Sequence, residues 1–377
     1  MGAIGISEYS GVTSPAYDIL RPIRKLDAYY YHYLFRSPAC LAEFKRRSRG
    51  IMEMRLRLYF DQFGQIQIPV PPPNEQSAIV RFVRYFDHRV NSLIKAKRRL
   101  IELLKEQKQS IIHRAVTRGL ESSFQLKPSG IRWIECIPAH WQCRQLRHVT
   151  EMFVSNVDKL MDEQEQPVRL CNYVDVYKNE AITEKLPFMH ATASTEEIQR
   201  FRIQIGDVII TKDSEEWSDI GVPAVVRFQA EDLVCGYHLA ILRPKEETIM
   251  GEFLLRCLQD RLVATQLHMA ANGITRYGLS QGAIKSCLVP VPPIPEQHEI
   301  VDHLQVATRD LTLAISKAQS EIDLLREYRT RLITDVVTGQ LDVSQLDLGD
   351  FETIEMSVES GAIDAEYEEE PELAEVN

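Results

Sequence analysis

The sequence lacks the features that would place the protein in a membrane or in an oxidising compartment. No apolar run reaches the roughly 18 residues that a membrane-spanning helix needs, and residues 1–7 contain no basic segment of the kind that opens a signal peptide. The seven cysteines are an odd number, and none belongs to a C-x-x-C pair. We therefore expect free thiols in a cytoplasmic protein, without a disulfide framework.

The sequence also lacks the motifs of common catalytic sites. It contains no G-x-x-x-x-G-K-[ST] or G-x-G-x-x-G loop, no H-E-x-x-H, no nucleophile elbow, and no Asn/Asp-Pro-Pro-aromatic run of the kind that amino-methyltransferases use. No Cys/His cluster has the spacing of metal ligands. These absences predict a protein that is not an enzyme and that holds no cofactor or metal of its own.

Basic residues are missing from the C-terminal segment 342–377, which carries 13 acidic residues. The formal net charge of −10 therefore comes from this segment, because residues 1–341 have a net charge of +3. The composition predicts a disordered acidic tail behind a near-neutral body. A hydrophobic fraction of 44% is typical of folded domains.

A duplicated segment of about 50 residues organises the sequence. Pro69–Gln76 reads P-V-P-P-P-N-E-Q and Pro290–Gln297 reads P-V-P-P-I-P-E-Q, with an offset of 221 residues. The same offset relates Val116-Thr117 to Val337-Thr338. The chain therefore carries two copies of one module rather than a series of short solenoid repeats.

A heptad-like spacing follows each proline-rich entry and predicts two long helices that form a coiled coil. The predicted contact positions in the first copy are 79, 83, 86, 90, 93, 97, 100, 104, 107 and 111, and those in the second copy lie 221 residues later. Residues 74–125 have a net charge of +6 and residues 290–341 of −3, which favours pairing of the two helices with each other. The alternative is that each is a core helix of its own domain.

The region between the two copies, residues 126–289, predicts one α+β domain. Strand-like runs occur at 168–171, 207–211, 224–228 and 239–242, and helical stretches follow at 251–271. The N-terminal region matches only the second half of this domain, from the point where Leu20-Arg21-Pro22 repeats Leu242-Arg243-Pro244. We therefore expect the first domain to lack roughly 95 residues, or to be completed by another chain.

Together these motifs resemble the specificity subunit of type I restriction-modification enzymes. The resemblance rests on the two P-x-P-P-x-x-E-Q entries, at Pro69–Gln76 and Pro290–Gln297, each followed by a helix that closes on Val-Thr. Ser129–Trp141 resembles the start of that family's second target-recognition domain, and Gly2–Tyr17 resembles an internal stretch of the first. The resemblance covers nearly everything up to residue 341.

The resemblance implies an α+β fold with one complete and one partial target-recognition domain, joined by two long helices that form an antiparallel coiled coil. The predicted segments are 1–68 (second half of the first domain), 69–125 (first helix), 126–289 (second domain), 290–341 (second helix) and 342–377 (tail). In this family each domain reads half of a split double-stranded DNA target. The helices dock two methyltransferase subunits, restriction (motor) subunits join through these, and the specificity subunit performs no catalysis.

Two other possibilities remain open on the residues alone. One is a partial subunit that self-associates or is complemented by a second partial subunit. The other is a coiled-coil assembly protein that no longer binds specific DNA. Residues 126–289 contain 18 basic and 22 acidic residues, a net charge of −4, which argues against a broad basic DNA-binding patch.

Side chains with paired donors or acceptors on exposed loops are the candidates for base contacts. One such loop follows the strand at 207–211, and a second follows the helical stretch that ends at 271. The predicted DNA contacts on these loops, and in the N-terminal region, are Lys212, Asp213, Trp217, Asn272, Arg276, Tyr277 and Arg55. The alternative for Lys212 and Arg276 is a solvated side chain or a pair with a local acid, and we expect His238 to be structural.

Overall fold

The computed structural model of the protein describes residues 4–7, 9–14, 17–50 and 56–343. The predicted acidic tail lies outside the described residues, apart from its first two. The chain divides into two compact units: unit 1 comprises Met1–Ile101 and Lys317–Asn377, and unit 2 comprises Glu102–Ser316. Each unit contains part of both long helices, and the five-segment division remains a prediction. None of the helices described is long and apolar enough to cross a membrane.

Helices and strands are mixed along the described residues, which confirms the predicted α+β class. The helices are α1 (Ala28–Arg36), α2 (Pro38–Arg47), α3 (Phe60–Phe63), α4 (Pro73–Arg118), α5 (Leu146–Val149), α6 (Tyr173–Tyr177), α7 (Thr195–Phe201), α8 (Gly251–Gln259), α9 (Arg261–Ala270), α10 (Gln281–Ser286) and α11 (Ile294–Val337). The strands are β1 (Leu126–Ile131), β2 (Ile134–Pro138), β3 (Gln142–Gln145), β4 (Thr150–Val154), β5 (Gln166–Cys171), β6 (Ala181–Ile182), β7 (Met189–Ala193), β8 (Val208–Thr211), β9 (Asp213–Ser214), β10 (Pro223–Val226), β11 (Leu233–Cys235), β12 (Leu239–Pro244), β13 (Tyr277–Gly278) and β14 (Leu288–Val291).

A five-stranded sheet with the order β4-β12-β8-β10-β6 forms the centre of unit 2. Its neighbouring strands are antiparallel, except that β10 and β6 are parallel. Side chains alternate between two apolar cores because successive residues of a strand face opposite sides. Val208 and Leu242 belong to the core that contains Phe253 of α8, whereas Ile209 and Ile241 belong to the other. Burial on both faces explains why these strands read as continuous apolar runs.

The helical stretch predicted at 251–271 consists of two helices separated at Asp260. The Asp260 carboxylate accepts hydrogen bonds from the backbone nitrogens of Leu262 and Val263, and this cap starts α9. Its second oxygen lies 2.8 Å from His113 Nδ1 on α4. This hydrogen bond raises the pKa of His113, against the opposing effect of burial.

The internal repeat also includes the helices that precede each proline-rich entry. The module therefore extends from α1 to the end of α4 in the first copy and from α8 to the end of α11 in the second. Helices α1 and α2 are 9 and 10 residues long, as are α8 and α9, and they lie 223 residues earlier. Ile19-Leu20 is followed by Arg-Pro, as is Ile241-Leu242 in β12. Ile19 and Leu20 are 67% and 47% exposed, whereas their counterparts are fully buried. The difference arises because the described part of unit 1 has no strand beside this segment.

A buried glutamine in the first turn of α11 connects this helix to the domain in unit 2. Gln297 Oε1 accepts a hydrogen bond from the backbone N–H of Met250, the N-cap residue of α8, at 2.8 Å. Its Nε2 donates to the carbonyls of Pro292 and Thr248, at 2.9 and 3.0 Å. The side chain therefore satisfies backbone groups of both the proline-rich entry and α8.

Gln76 makes the equivalent contacts in unit 1. Its Oε1 accepts from the backbone N–H of Asp27, the N-cap residue of α1, at 2.9 Å, and its Nε2 donates to the carbonyl of Pro71 at 2.8 Å. Gln76 and Gln297 are 1% and 0% exposed. The last residue of the repeated P-x-P-P-x-x-E-Q motif thus has the same role in each copy.

The glutamate of the second motif binds the buried tryptophan of unit 2. Trp141 is fully buried. Its Nε1 donates to Glu296 Oε2 at 3.0 Å, and His140 Nε2 lies 2.8 Å from the same oxygen. Because a buried indole N–H needs an acceptor, Glu296 stabilises the packing of Trp141 against the helix start.

The two long helices run antiparallel where they meet in unit 1. Arg329 of α11 forms two hydrogen bonds with Asp87 of α4, at 2.9 and 3.2 Å, and Lys97 pairs with Glu321. The residue number rises along α4 as it falls along α11, so the predicted antiparallel arrangement is observed here. The Lys97–Glu321 pair joins a basic residue of segment 74–125 to an acidic residue of segment 290–341, as the opposite net charges of the two segments favour.

Two of the contact positions predicted for the middle of α4, 93 and 100, are wrong. Leu93 and Leu100 are 50% and 47% exposed, whereas Ile94 and Ile101 are buried. Apolar residues stand side by side at both places, so the apolar spacing alone does not choose between them. A step of four residues from the buried Val90, instead of three, selects the isoleucines and leaves the leucines on the surface.

Two predicted contact positions of α11 do meet α4. Glu321 pairs with Lys97, and the ring of Tyr328 meets that of Phe86 edge to face, with centroids 5.6 Å apart, although Tyr328 is 54% exposed. Leu324, which was not a predicted contact, is 63% exposed. Both helices of unit 1 therefore carry apolar side chains outside their mutual contact.

Replacing Gln297 by Ala is expected to lower the free energy of unfolding by about 1–3 kcal/mol, because Met250 N–H and two carbonyls lose a buried partner. Chemical denaturation followed by fluorescence of the tryptophans measures this change. Gln305→Ala, at an exposed position of α11, is the matched control and should stay within about 0.5 kcal/mol of the unchanged protein. Equal stability of Gln297→Ala would contradict a structural role for this amide.

Candidate nucleic-acid interface

The two loops predicted to contact DNA lie side by side in unit 2. Strand β9 pairs antiparallel with β13, so that Asp213 stands opposite Gly278 and Ser214 opposite Tyr277. The ladder continues where the backbone N–H of Leu279 donates to the Lys212 carbonyl at 2.8 Å. Residues that are distant in the sequence are therefore held on one small, rigid platform.

Backbone hydrogen bonds close the second loop, residues 272–278, beside this strand pair. Asn272 and Gly278 exchange two backbone hydrogen bonds, of 3.0 and 2.9 Å. Gly273 has a φ of +149°, and a Cβ atom there would lie 1.9 Å from the carbonyl oxygen of Arg276, so only glycine fits. Ile274, at the tip, is 95% exposed. This tight turn presents Arg276 on the surface.

Asp213 is the centre of a cluster of basic side chains. Its Oδ2 lies 2.7 Å from Lys212 Nζ, and its Oδ1 lies 3.0 Å from Arg276 Nη2 and contacts His238 Nδ1. The same Arg276 nitrogen lies 3.1 Å from the ring nitrogens of His238. Both cations thus pair with a local acid, and the structure brings together residues that the sequence assigned to separate loops.

The Asp213 carboxylate is ionised at neutral pH. Burial raises its pKa, but hydrogen bonds from His238 and Lys212 and their charges outweigh burial and lower the pKa to about 2. One carboxylate then faces two permanent cations, Lys212 and Arg276. The cluster keeps a positive charge on a domain whose total is negative.

His238 was not among the residues predicted to contact DNA. It directly precedes β12, and β12 lies beside β8, with Leu239 opposite Thr211. The His238 carbonyl accepts a hydrogen bond from the backbone N–H of Lys212 at 3.0 Å. A position immediately outside a buried strand was the available signal, since the same reasoning selected Lys212.

Aromatic side chains lie on both sides of the strand pair. Trp217 is 53% exposed and meets the ring of His268 edge to face, with centroids 5.5 Å apart. Tyr173 donates a hydrogen bond to Ser214 Oγ at 3.1 Å and stacks on Tyr177. The sequence predicted Trp217 but did not single out Tyr173, because α6 carries it from a different part of the chain.

Arg55, the predicted counterpart of Arg276 in unit 1, lies outside the described residues. The residues that flank its segment, Arg49 and Arg57, exchange two backbone hydrogen bonds of 2.9 Å. The corresponding exchange joins Asn272 and Gly278 in unit 2. Both copies therefore close this loop with the same kind of ladder.

Comparison with known families places these features in context. The family model of the type I restriction modification DNA specificity domain matches residues 1–103 and 141–323, more than half of the chain. The chain belongs to this family. The first matched range ends within α4 and the second within α11, and the second includes every residue of the Asp213 cluster. The prediction made from the repeated motifs is thereby confirmed.

Individual members of the specificity family are only distantly similar to the chain. The type I restriction enzyme MjaVIII specificity subunit of Methanocaldococcus jannaschii is 19% identical over 321 residues, covering 85% of this chain and 72% of that protein. The type I restriction enzyme EcoBI specificity subunit of Escherichia coli is 24% identical over 251 residues, covering 63% of this chain and 50% of that protein. Among the curated relatives the chain thus spans as little as about half of their length.

A solved structure supports the shared fold. A chain from a study of complex assembly and conformational transition of the type I R-M system superimposes with a TM-score of 0.58, at 14% identity. The match covers 84% of this chain and 72% of that chain. These likenesses favour a DNA specificity protein over the alternative of a coiled-coil assembly protein.

Replacing Asp213 by Asn is expected to lower the free energy of unfolding by about 1–3 kcal/mol at pH 5, because Lys212 and Arg276 lose their common anion. The pKa of Asp213 is lowered from 3.8 to about 2 by folding. Its ionised form therefore stabilises the fold above about pH 4, and this contribution is lost as the pH falls through about 2.

Chemical denaturation of the unchanged protein and of Asp213→Asn at a series of pH values measures the difference. We expect the gap between them to close between about pH 4 and pH 2. Asp302→Asn, at an exposed position of α11, is the control and should show no gap at pH 5. A gap for Asp213→Asn that stays constant down to pH 2 would contradict the ion-pair account.

Proposed function

We propose that the chain is the DNA sequence-specificity subunit of a type I restriction-modification complex. In this role it recognises a bipartite double-stranded DNA target, docks methyltransferase subunits and, through them, restriction subunits, and performs no catalysis itself. The observation that carries the proposal is the joined pair of loops around Asp213, in a chain that belongs to the DNA specificity family.

The DNA-binding part of the proposal relies on local chemistry rather than on total charge. Residues 126–289 are negative overall, so unspecific attraction to phosphate is weak and cannot supply the affinity alone. The Asp213 cluster concentrates Lys212 and Arg276 beside the exposed Trp217 and Ile274. Cationic and apolar side chains on one rigid edge match the donors and methyl contacts that base recognition uses.

A second DNA contact belongs to unit 1 in this proposal. The loop between Arg49 and Arg57 corresponds to the loop that presents Arg276, and its ladder is equivalent. Arg55 occupies the position of Arg276 in the repeat. Two backbone bridges of the same kind, Arg49–Arg57 and Asn272–Gly278, suit a target that is read in two halves.

The partner-binding part of the proposal rests on the long helices. Leu93 and Leu100 of α4, and Leu324 and Tyr328 of α11, are each about half exposed or more. Apolar side chains in this number on paired helices favour contact with another protein. We assign this surface of unit 1 to a methyltransferase subunit, and the two copies of the module accommodate two such subunits.

The function is tested by mixing the full chain with the methyltransferase subunit of the same restriction-modification system. Size-exclusion chromatography with light scattering should show a complex, and this complex should methylate DNA at a defined sequence. The proposal fails if the unchanged chain neither associates with the subunit nor directs methylation.

Leu100→Glu is expected to weaken this association at least tenfold, because it places a charge in an apolar contact. Leu160→Glu is the matched control: Leu160 is 74% exposed and lies in unit 2, outside the long helices. The measurement is the association constant from titration of each variant with the methyltransferase subunit. If both variants weaken the association equally, or if neither weakens it, the assignment of the docking surface is wrong.

A further inference from the structure

We propose that Arg276, held in place by Asp213 and His238, reads a guanine in the major groove, and that Asp213 is the positioning residue that directs it. The inference rests on the proposed DNA-recognition function and adds the chemistry of one base contact. On this inference the Asp213 cluster is a site that recognises one base, in addition to being a group of paired charges.

The guanidinium of Arg276 has a fixed orientation but keeps donors for a ligand. Its contacts with Asp213 and His238 use only Nη2 among the interactions of the described residues. Nη1 and Nε therefore have no protein partner there, and the side chain is 46% exposed. Guanine presents the acceptors O6 and N7 side by side. Each fork of a guanidinium combines one hydrogen of Nη2 with one of Nη1 or Nε, so the Nη2 hydrogen that Asp213 does not use completes a fork that donates to both acceptors.

The backbone around Arg276 is as well fixed as its side chain. The β9–β13 pair positions Asp213, and the ladder between Asn272 and Gly278 closes the loop that carries Arg276. His238 is held by the bond between its carbonyl and the N–H of Lys212. Three segments of the chain thus converge without a flexible link, and such preorganisation suits a directional contact with a base edge.

The charge of Asp213 favours a base over a phosphate as the ligand. An ionised carboxylate 3.0 Å from the Arg276 nitrogen repels a phosphate at the same place, whereas a base edge carries no net charge. Guanine offers two adjacent acceptors to the fork of Arg276. An A·T pair separates its acceptors, adenine N7 and thymine O4, by the adenine N6 donor, and therefore does not match the fork.

Lys212 has a supporting role in this arrangement. Its ammonium group lies 2.7 Å from Asp213 Oδ2, on the opposite side of the carboxylate from Arg276, and its side chain is only 22% exposed. Lys212 holds the other carboxylate oxygen, so Asp213 is fixed at both oxygens while it orients Arg276. The most exposed cation of the cluster is consequently the one with the planar fork.

The test uses the full chain in complex with its methyltransferase subunits. The complex methylates a plasmid library that contains randomised DNA, and sequencing of the methylated bases gives the preferred target for each protein. The compared proteins are the unchanged chain, Arg276→Ala, Arg276→Lys, Asp213→Ala and Arg227→Ala. Arg227 is the matched control, since it is a half-exposed arginine of unit 2 that pairs with Glu252 away from the cluster.

The unchanged complex should require guanine at one position of the target. Arg276→Ala and Arg276→Lys should relax the preference at that position alone by about tenfold or more, since lysine keeps the charge but not the fork. Asp213→Ala should relax the same position to a smaller extent, and Arg227→Ala should leave the target unchanged. Thermal denaturation and complex size confirm that each variant is folded.

Other outcomes separate the inference from the proposed function. If the Arg276 variants reduce methylation equally at all sequences, Arg276 contacts phosphate and the inference is overturned. If the relaxed position is not guanine, or if Asp213→Ala changes nothing where Arg276→Ala does, the assigned chemistry is wrong. If the unchanged complex shows no preferred sequence, the proposed function itself fails.

Discussion

A buried glutamine at the start of each long helix is the contact on which the two modules depend. Gln76 and Gln297 each bind the N-cap residue of a domain helix and a carbonyl of the proline-rich entry. Leaving either amide without its partners would lower the free energy of unfolding by about 1–3 kcal/mol. The glutamine therefore fixes the start of the long helix against the domain helix that it binds. This requirement explains why the P-x-P-P-x-x-E-Q motif recurs while the residues around it differ.

Both modules contain this glutamine contact, but the structure around it differs between them. In unit 2 the helix pair α8 and α9 covers a five-stranded sheet, and β12 is buried within it. In unit 1 the matching helices α1 and α2 are present, while the Ile19–Pro22 counterpart of β12 is exposed in the described structure. Strand β9 directly follows β8, the central strand of this sheet, and pairs with β13, so unit 2 holds the developed DNA-reading site of the proposal.

Much of this organisation was predictable from the sequence, because repeats and strand ends leave clear patterns. The duplicated motif, the two helices and the loops that begin at Lys212 and Asn272 were all predicted. The pairing of these loops was not, since β9 and β13 have two residues each and no periodicity to detect. His238 was missed although it lies immediately outside a buried strand, the signal that selected Lys212, because we expected this histidine to be structural. The helix contacts were misplaced at Leu93 because two adjacent apolar residues fit the spacing equally well.

In the proposed function, the platform around Asp213 faces DNA when the chain is assembled with its methyltransferase subunits. Hydrogen–deuterium exchange of this complex, with and without its target DNA, measures whether it does. We expect slower exchange on DNA binding in residues 212–217 and 272–279, with little change at the exposed segment around Leu160. Protection elsewhere in unit 2, with unchanged exchange in both of these loops, would contradict it.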